Sequence, residues 1–219
     1  MTRRGLLAPL LATAATAATA ACAPLAGPGG VTPALLGPSG WRTARAAYGV
    51  EPRQTLSLHR PPRARGLPIL VLLPDGAPGE ADERTARDLA AQGFVVVLAN
   101  RRAAPGSSYP AFIADAAAAV AWATRRAEAL GGNARRLGAL GLGEGGRAAL
   151  MLALDRRYLA AVAAPGAVRA AAALGAPELP DATFTDPSAY GGAADAAPVW
   201  CGAAGDVAGA LAFLRGALG

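Results

Sequence analysis

Apolar positions recur along this chain in two rhythms. Gln54 to Arg60 alternates apolar and polar residues, as a strand with one covered face does. Pro68 to Leu73 and Phe94 to Ala99 are unbroken apolar runs, which suit strands covered on both faces. Arg136 to Leu140, Leu159 to Ala163 and Ala197 to Cys201 are shorter runs that predict further strands. Helical spacing fills the intervals. Glu80 to Gln92 puts Ala86, Leu89 and Ala90 on one face and closes at Gly93. Pro110 to Leu130 predicts one long helix with Phe112, Ala116, Val120 and Ala123 inward. Gly145 to Leu154 and Asp206 to Leu218 predict two more. Pro61 to Gly66, Asp75 to Glu80 and Asn100 to Tyr109 read as turns and loops. The small-residue stretch from Gly166 to Ala197 predicts a lid or cap. Strands alternating with helices give an α/β fold: a doubly wound, mostly parallel sheet flanked by helices, with an antiparallel first strand.

The N-terminus breaks this pattern. Arg3 and Arg4 precede an apolar, small-residue run from Leu6 to Ala21, too short and punctuated for a membrane span. It reads as a signal peptide over 1–21. Thr19-Ala20-Ala21-Cys22 is similar to the bacterial lipobox, which predicts lipidation of Cys22 and a membrane partner. A leader cleaved near Ala21 with an incidental cysteine is the other reading. Residues 22–47, rich in Pro and Gly, predict a tether, and 48–219 the folded domain. The product is then exported and membrane-anchored, facing the periplasm or the cell surface. With Cys22 lipidated, Cys201 has no partner in the chain and no disulfide is expected; a lone strand cysteine is most often a small core residue.

Composition changes little in this picture. The formal charge is +6, and all 21 basic residues are arginine. They are scattered, with no basic helix interleaved with aromatics, so nucleic-acid binding is not expected. Nothing in the sequence calls for a cofactor.

The chemistry concentrates at Leu137-Gly138-Ala139-Leu140-Gly141-Leu142-Gly143-Glu144-Gly145-Gly146-Arg147. A strand run enters a glycine-packed turn and a helix run leaves it. Gly141 and Gly145 frame a nucleophile elbow, Gly-x-Ser-x-Gly, but its centre is Gly143. A plain tight turn fits as well. So does the spacing Gly141, Gly143, Gly146 of a dinucleotide fingerprint, although no acidic residue ends a strand about 20 residues on.

Other motifs carry a resemblance. Asn100-Arg101-Arg102-Ala103-Ala104-Pro105 resembles the Asp-Tyr-Arg-Leu-Ala-Pro loop of esterases and lipases. Tyr109-Pro110-Ala111-Phe112, with Asp115-Ala116 and Ala121-Trp122, resembles the helix after it. Gly131 to Leu137 resembles the Gly-Gly-Asp-Pro-x-Arg-Ile entry to the elbow strand, and Asp186-Pro187 and Gly191-Gly192 resemble a lid. From Tyr48 onward the chain thus resembles the α/β-hydrolase superfamily, in its small carboxylesterase and feruloyl-esterase-like branch.

What the resemblance implies for catalysis is mostly loss. The nucleophile position is Gly143. The oxyanion loop falls on Pro74-Asp75-Gly76-Ala77, where a proline has no N–H and a carboxylate repels an oxyanion. The second donor would be the N–H of Glu144. The acid position is Asp206. No histidine follows it before Gly219, and His59, the one histidine, lies in the first strand. Cys201, His59, Ser188 and Tyr190 are weak substitutes, for want of an electropositive setting or of proximity. The expectation is a degenerate, non-catalytic hydrolase-like lipoprotein with a binding or structural role. The alternative is an active carboxylic-ester hydrolase with an unrecognised nucleophile. Asp75, Glu144 and Asp206 each follow a strand end, the edge where open α/β sheets bind ligands, and could converge on a cationic small molecule in the former cleft; three separate solvated acids are the plainer reading.

Overall fold

The computed structural model describes residues 31–36, 42–102, 110–175 and 196–219. Eight strands form one sheet among them: β1 (Val31–Leu36), β2 (Arg42–Ala47), β3 (Thr55–Arg60), β4 (Leu67–Leu73), β5 (Val95–Ala99), β6 (Gly132–Leu142), β7 (Ala170–Leu174) and β8 (Val199–Gly202). Their order is β1-β2-β3-β5-β4-β6-β7-β8. The first three strands and β5 pair antiparallel; β5, β4, β6, β7 and β8 are parallel. Helices α1 (Glu80–Ala91), α2 (Ala111–Arg125), α3 (Ala127–Leu130), α4 (Glu144–Leu154), α5 (Arg156–Ala161) and α6 (Val207–Leu218) cover both faces.

The pleat sorts the core. Ile69, Val71 and Leu73 of β4 and Val95, Val97 and Ala99 of β5 pack toward α2 and α4, while Leu70, Leu72, Val96 and Leu98 pack toward α1 and α6. Burial on both faces explains the unbroken apolar runs, since neither side of these strands meets water. In β3 the alternation is visible: Leu56 and Leu58 join the first cluster, and the buried polar Ser57 and His59 occupy the other face.

Five of the eight strands and most helices lie where expected, and four expectations are corrected. The tether over 22–47 is partly sheet, because Val31–Leu36 and Arg42–Ala47 extend the antiparallel edge. Arg42-Thr43-Ala44-Arg45-Ala46 has alanines where larger apolar residues would have marked a strand. The strand over Leu159–Ala163 is instead the end of a helix: buried Asp155 closes α4 and caps α5, its Oδ1 accepting from the Arg157 N–H at 3.0 Å. A five-residue apolar run does not distinguish strand from helix by itself. The missing strand is β7, inside the stretch assigned to a lid. It is four alanines and a leucine, all buried. Alanine is a poor strand former, so β7 owes its conformation to pairing with β6 and β8. Finally, the long helix breaks at Arg126, whose guanidinium lies 4.8 Å from the Trp122 ring centre. Lid positions 176–195, including Asp186-Pro187, Ser188, Tyr190 and Gly191-Gly192, lie outside the described residues, as do 1–21 and Cys22.

The tightest point is where α4 leaves β6. A Cβ on Gly145 would overlap the Leu73 carbonyl and reach within 2.7 Å of the Pro74 carbonyl, and one on Gly141 would overlap the Gly145 backbone. A Gly145→Ala variant should therefore lose at least about 2 kcal/mol of stability in urea unfolding. Gly216→Ala, in exposed space near the end of α6, should instead gain a few tenths to about 1 kcal/mol.

Candidate active site

The elbow has its backbone. Gly143 stands at φ 51° and ψ −123°, a left-handed conformation costly for any residue with a side chain. Its N–H donates to the Leu174 carbonyl at 2.9 Å, and its carbonyl accepts from Gly146 N–H at 2.9 Å. The turn is thus tied to β7 on one side and to the first turn of α4 on the other. What the elbow would present is missing, since Gly143 carries no functional group.

Asp75 fills the gap. A Cβ at Gly143 would come within 2.5 Å of the Asp75 carboxyl carbon and of its Oδ2. The other oxygen, Oδ1, accepts from the N–H of Glu144 at 3.2 Å. That N–H is the donor expected for an oxyanion, and it opens a helix, where the dipole favours an anion. The carboxylate therefore occupies both the space of a nucleophile's side chain and one oxyanion donor. Gly76 carries the loop onward at φ 83°.

Beneath this loop lies a residue the sequence reading passed over. Arg101, only 5% exposed, donates from Nη2 to the Pro74 carbonyl at 2.7 Å. Burial pulls its pKa down; Tyr48, Glu144, Asp115 and Asp75 oppose that pull. A guanidinium stays charged here, so a fixed cation supports the strand end that carries Asp75. Its Nε has no partner among the described residues. The signal was available: Arg101 comes two residues after an apolar strand, at the position held by Tyr in the loop motif it resembles.

Arg102 and Asp115 anchor the same loop to α2. Asp115, 1% exposed, accepts from the Arg102 backbone N–H at 3.0 Å, from Arg102 Nη2 at 2.8 Å and from Gln54 Nε2 at 2.8 Å. Burial alone would raise its pKa; the hydrogen bonds from Arg102 and Gln54 outweigh burial and hold it below the ordinary carboxylate value.

The other expected site residues do not assemble. Asp206 caps α6, its Oδ1 accepting from Gly209 N–H at 2.9 Å, beside β8 and two strands from the elbow. The Glu144 side chain turns along α4 to Arg147 at 3.7 Å. Asp206 thus stands apart from Asp75 and Glu144, and among the described residues no three His, Cys, Asp or Glu side chains are grouped to hold a metal. Cys201 is exposed rather than a core residue, because it sits on the short edge strand β8. Partial burial pushes its thiol pKa up, away from nucleophile character.

His59 is neither exposed nor near the elbow. It is 3% exposed on β3, three strands from β6. Its Nε2 lies 2.7 Å from Glu83 Oε2, close but not aligned as a hydrogen bond, and Nδ1 has no partner among the described residues. The other oxygen of Glu83 accepts from Ser57 Oγ at 2.9 Å. Burial lowers the His59 pKa from 6.5, against the pull of Glu83 and with the push of Arg87.

Comparison with known proteins agrees with this architecture. Residues 76–161 match the BD-FAE family model. Esterase LipC from Mycobacterium tuberculosis (strain ATCC 25618 / H37Rv) is 29% identical over 126 residues, 53% of this chain and 31% of that esterase. In fold, the chain is similar to an α/β-hydrolase enzyme from a Medee basin deep-sea metagenome library (TM-score 0.53, 17% identity, 62% of this chain and 57% of that one). It is also similar to Esterase B from Lactobacillus rhamnosis HN001 (TM-score 0.53, 21% identity, 68% and 54%) and to a bacterial heroin esterase (TM-score 0.52, 24% identity, 67% and 48%). The chain thus spans about a third of the matched esterase and about half of these solved structures.

A neutral buried histidine gives a testable pH dependence. With its folded pKa below 6.5, His59 contributes full stability above pH 6.5 and loses it as pH falls toward the lowered value. The melting temperature of the protein should fall between pH 6.5 and 5, and a His59→Gln variant should show a flatter curve over that window.

Proposed function

We propose that this chain is an esterase-like member of the α/β-hydrolase superfamily whose own elbow is non-catalytic. The observation that carries the reading is Gly143: elbow backbone, no side chain, and the Asp75 carboxylate in the vacated space. Acyl transfer needs a nucleophile, a base within hydrogen-bond reach and donors aimed at the developing oxyanion. At this elbow the first is absent. The third is engaged by an anion, which an incoming substrate carbonyl would have to displace and whose charge opposes the oxyanion. The sequence's histidine is held against Glu83, away from the elbow. Loss of a nucleophile alone costs on the order of 10⁶ in turnover. The fold then serves binding or structure rather than hydrolysis.

We place the protein at the cell envelope. Arg3-Arg4, the apolar run to Ala21 and Thr19-Ala20-Ala21-Cys22 support a lipoprotein leader, with lipidated Cys22 holding the domain to a membrane through several acyl chains.

Hydrolysis of p-nitrophenyl acetate tests the first proposal. The protein, Gly143→Ser and Gly143→Ser/Asp75→Gly should all run at the buffer rate. Turnover by the parent would overturn the reading, and its loss in Cys201→Ala would identify the nucleophile. For the second, the parent should fractionate with membranes and incorporate labelled palmitate, and Cys22→Ala should do neither.

A further inference from the structure

Charge is divided between the two ends of the strands. Glu51, Asp75, Glu80, Asp82, Glu144 and Asp206 stand at the elbow end, where β3 begins and the parallel strands finish. The opposite end, where β3 finishes and β4, β6 and β7 begin, is rich in arginine. Arg60, Arg63 and Arg65 lie on the connection from β3 to β4. Arg125 closes α2, Arg135 lies near the start of β6 and Arg169 directly precedes β7. The carboxylate among them is that of Glu128 on α3, itself exposed.

Two arginines at this end have a structural use. Arg60 Nη1 donates to the Leu130 carbonyl at 3.0 Å and Arg136 Nε to the Leu218 carbonyl at 2.6 Å, so each sets a cation on the last turn of a helix. The outer ones have none of this kind. Arg63, Arg65, Arg125, Arg135 and Arg169 are exposed, and their side chains make no hydrogen bond or ion pair among the described residues. Helix ends account for Arg125 alone, since Arg63 and Arg65 sit on a strand connection and Arg135 and Arg169 lead into strands. Arg63 also holds φ 58°, a left-handed conformation that favours glycine, so the backbone does not call for arginine there. Like charges crowded on one edge repel one another, a cost that an anionic partner would reverse. The edge is recessed as well: Arg60, Arg63 and Arg65 line a cavity of about 560 Å³, and Arg135 and Arg169 one of about 540 Å³.

We propose that this arginine edge docks the domain on an anionic phospholipid bilayer, with the elbow end turned away from the membrane. A guanidinium pairs with a phosphate in bidentate fashion, and a bilayer offers phosphates across the whole breadth of the edge. Among the described residues no helix or ribbon projects from this edge to enter a groove, and no exposed aromatic offers a base a stacking partner, so the surface suits a membrane better than a nucleic acid. The anchor proposed at Cys22 permits this pose, because the nine residues from there to Val31 reach up to about 30 Å and β1 is about 20 Å long. The inference needs no such anchor.

Co-sedimentation with vesicles tests this, on the full chain carrying Cys22→Ala so that acyl chains take no part. At low salt, phosphatidylglycerol vesicles should hold the protein well above the level of phosphatidylcholine vesicles, and about 1 M salt should abolish the difference. Arg63→Asn/Arg65→Gln, both at exposed positions, should keep the melting temperature and weaken binding to phosphatidylglycerol roughly tenfold or more, at about fivefold per arginine. Arg53→Gln/Arg84→Gln removes the same charge from the elbow end and should weaken binding less than about twofold. Equal retention by the two kinds of vesicle would overturn the proposal, as would equal losses in the two double variants. Tighter binding to a DNA duplex than to phosphatidylglycerol vesicles at the same salt would overturn it in favour of a nucleic-acid surface.

Discussion

The architecture of this molecule depends on one close approach. Helix α4 starts so near β6 and the end of β4 that no side chain fits between them: Gly141 faces the backbone of Gly145 and Gly146, and Gly145 faces the Leu73 and Pro74 carbonyls. That contact fixes where α4 points, how it covers β7 and where loop 74–79 passes. It also separates two roles that one motif usually carries together. The flanking glycines are held by packing, whatever chemistry the turn performs, so the frame is kept with glycine at its centre. Glycine at 143 takes the positive φ without the strain a Cβ would bring, and it carries no nucleophile.

The electrostatics around the turn make the change coherent. A helix N-terminus with an empty elbow would attract an anion from solution. Here the chain supplies its own, from Asp75, and supports that loop from beneath with buried Arg101. Arg102 and Asp115 pin the following loop to α2. The Asp75 carboxylate on the Glu144 N–H thereby makes an internal joint between two loops, and the polar cluster of Ser57, His59 and Glu83 lies apart from it on the antiparallel side.

Much of this was legible in the residues. The unbroken runs at Pro68–Leu73 and Phe94–Ala99 marked the buried parallel strands, and Gly141-x-Gly143-x-Gly145 marked the elbow, because burial on two faces and backbone contact each leave a compositional trace. Two things left none. Strands rich in alanine, four of five residues in β7 and half of β2, look like helix or linker, since their conformation comes from neighbouring strands rather than from their own side chains. Convergence is likewise a matter of three dimensions. Asp75, Glu144 and Asp206 shared a position relative to strand ends, yet Asp206 is turned to its own helix, and Arg101, read only as part of a loop motif, proved the nearer partner.

The alanine strand also bears on how such a sequence drifts. Every residue of β7 is buried, and four of the five have a single methyl as side chain. Carbon can hardly be removed there; substitution can only add it, against a sheet and helices already in contact. Most cores accept mutation in both directions, trading cavities for repacking. This one is close to a lower bound in volume, so tolerated substitutions run through exchanges at larger neighbours such as Leu140, Leu150 and Leu214, while β7 itself stays nearly fixed.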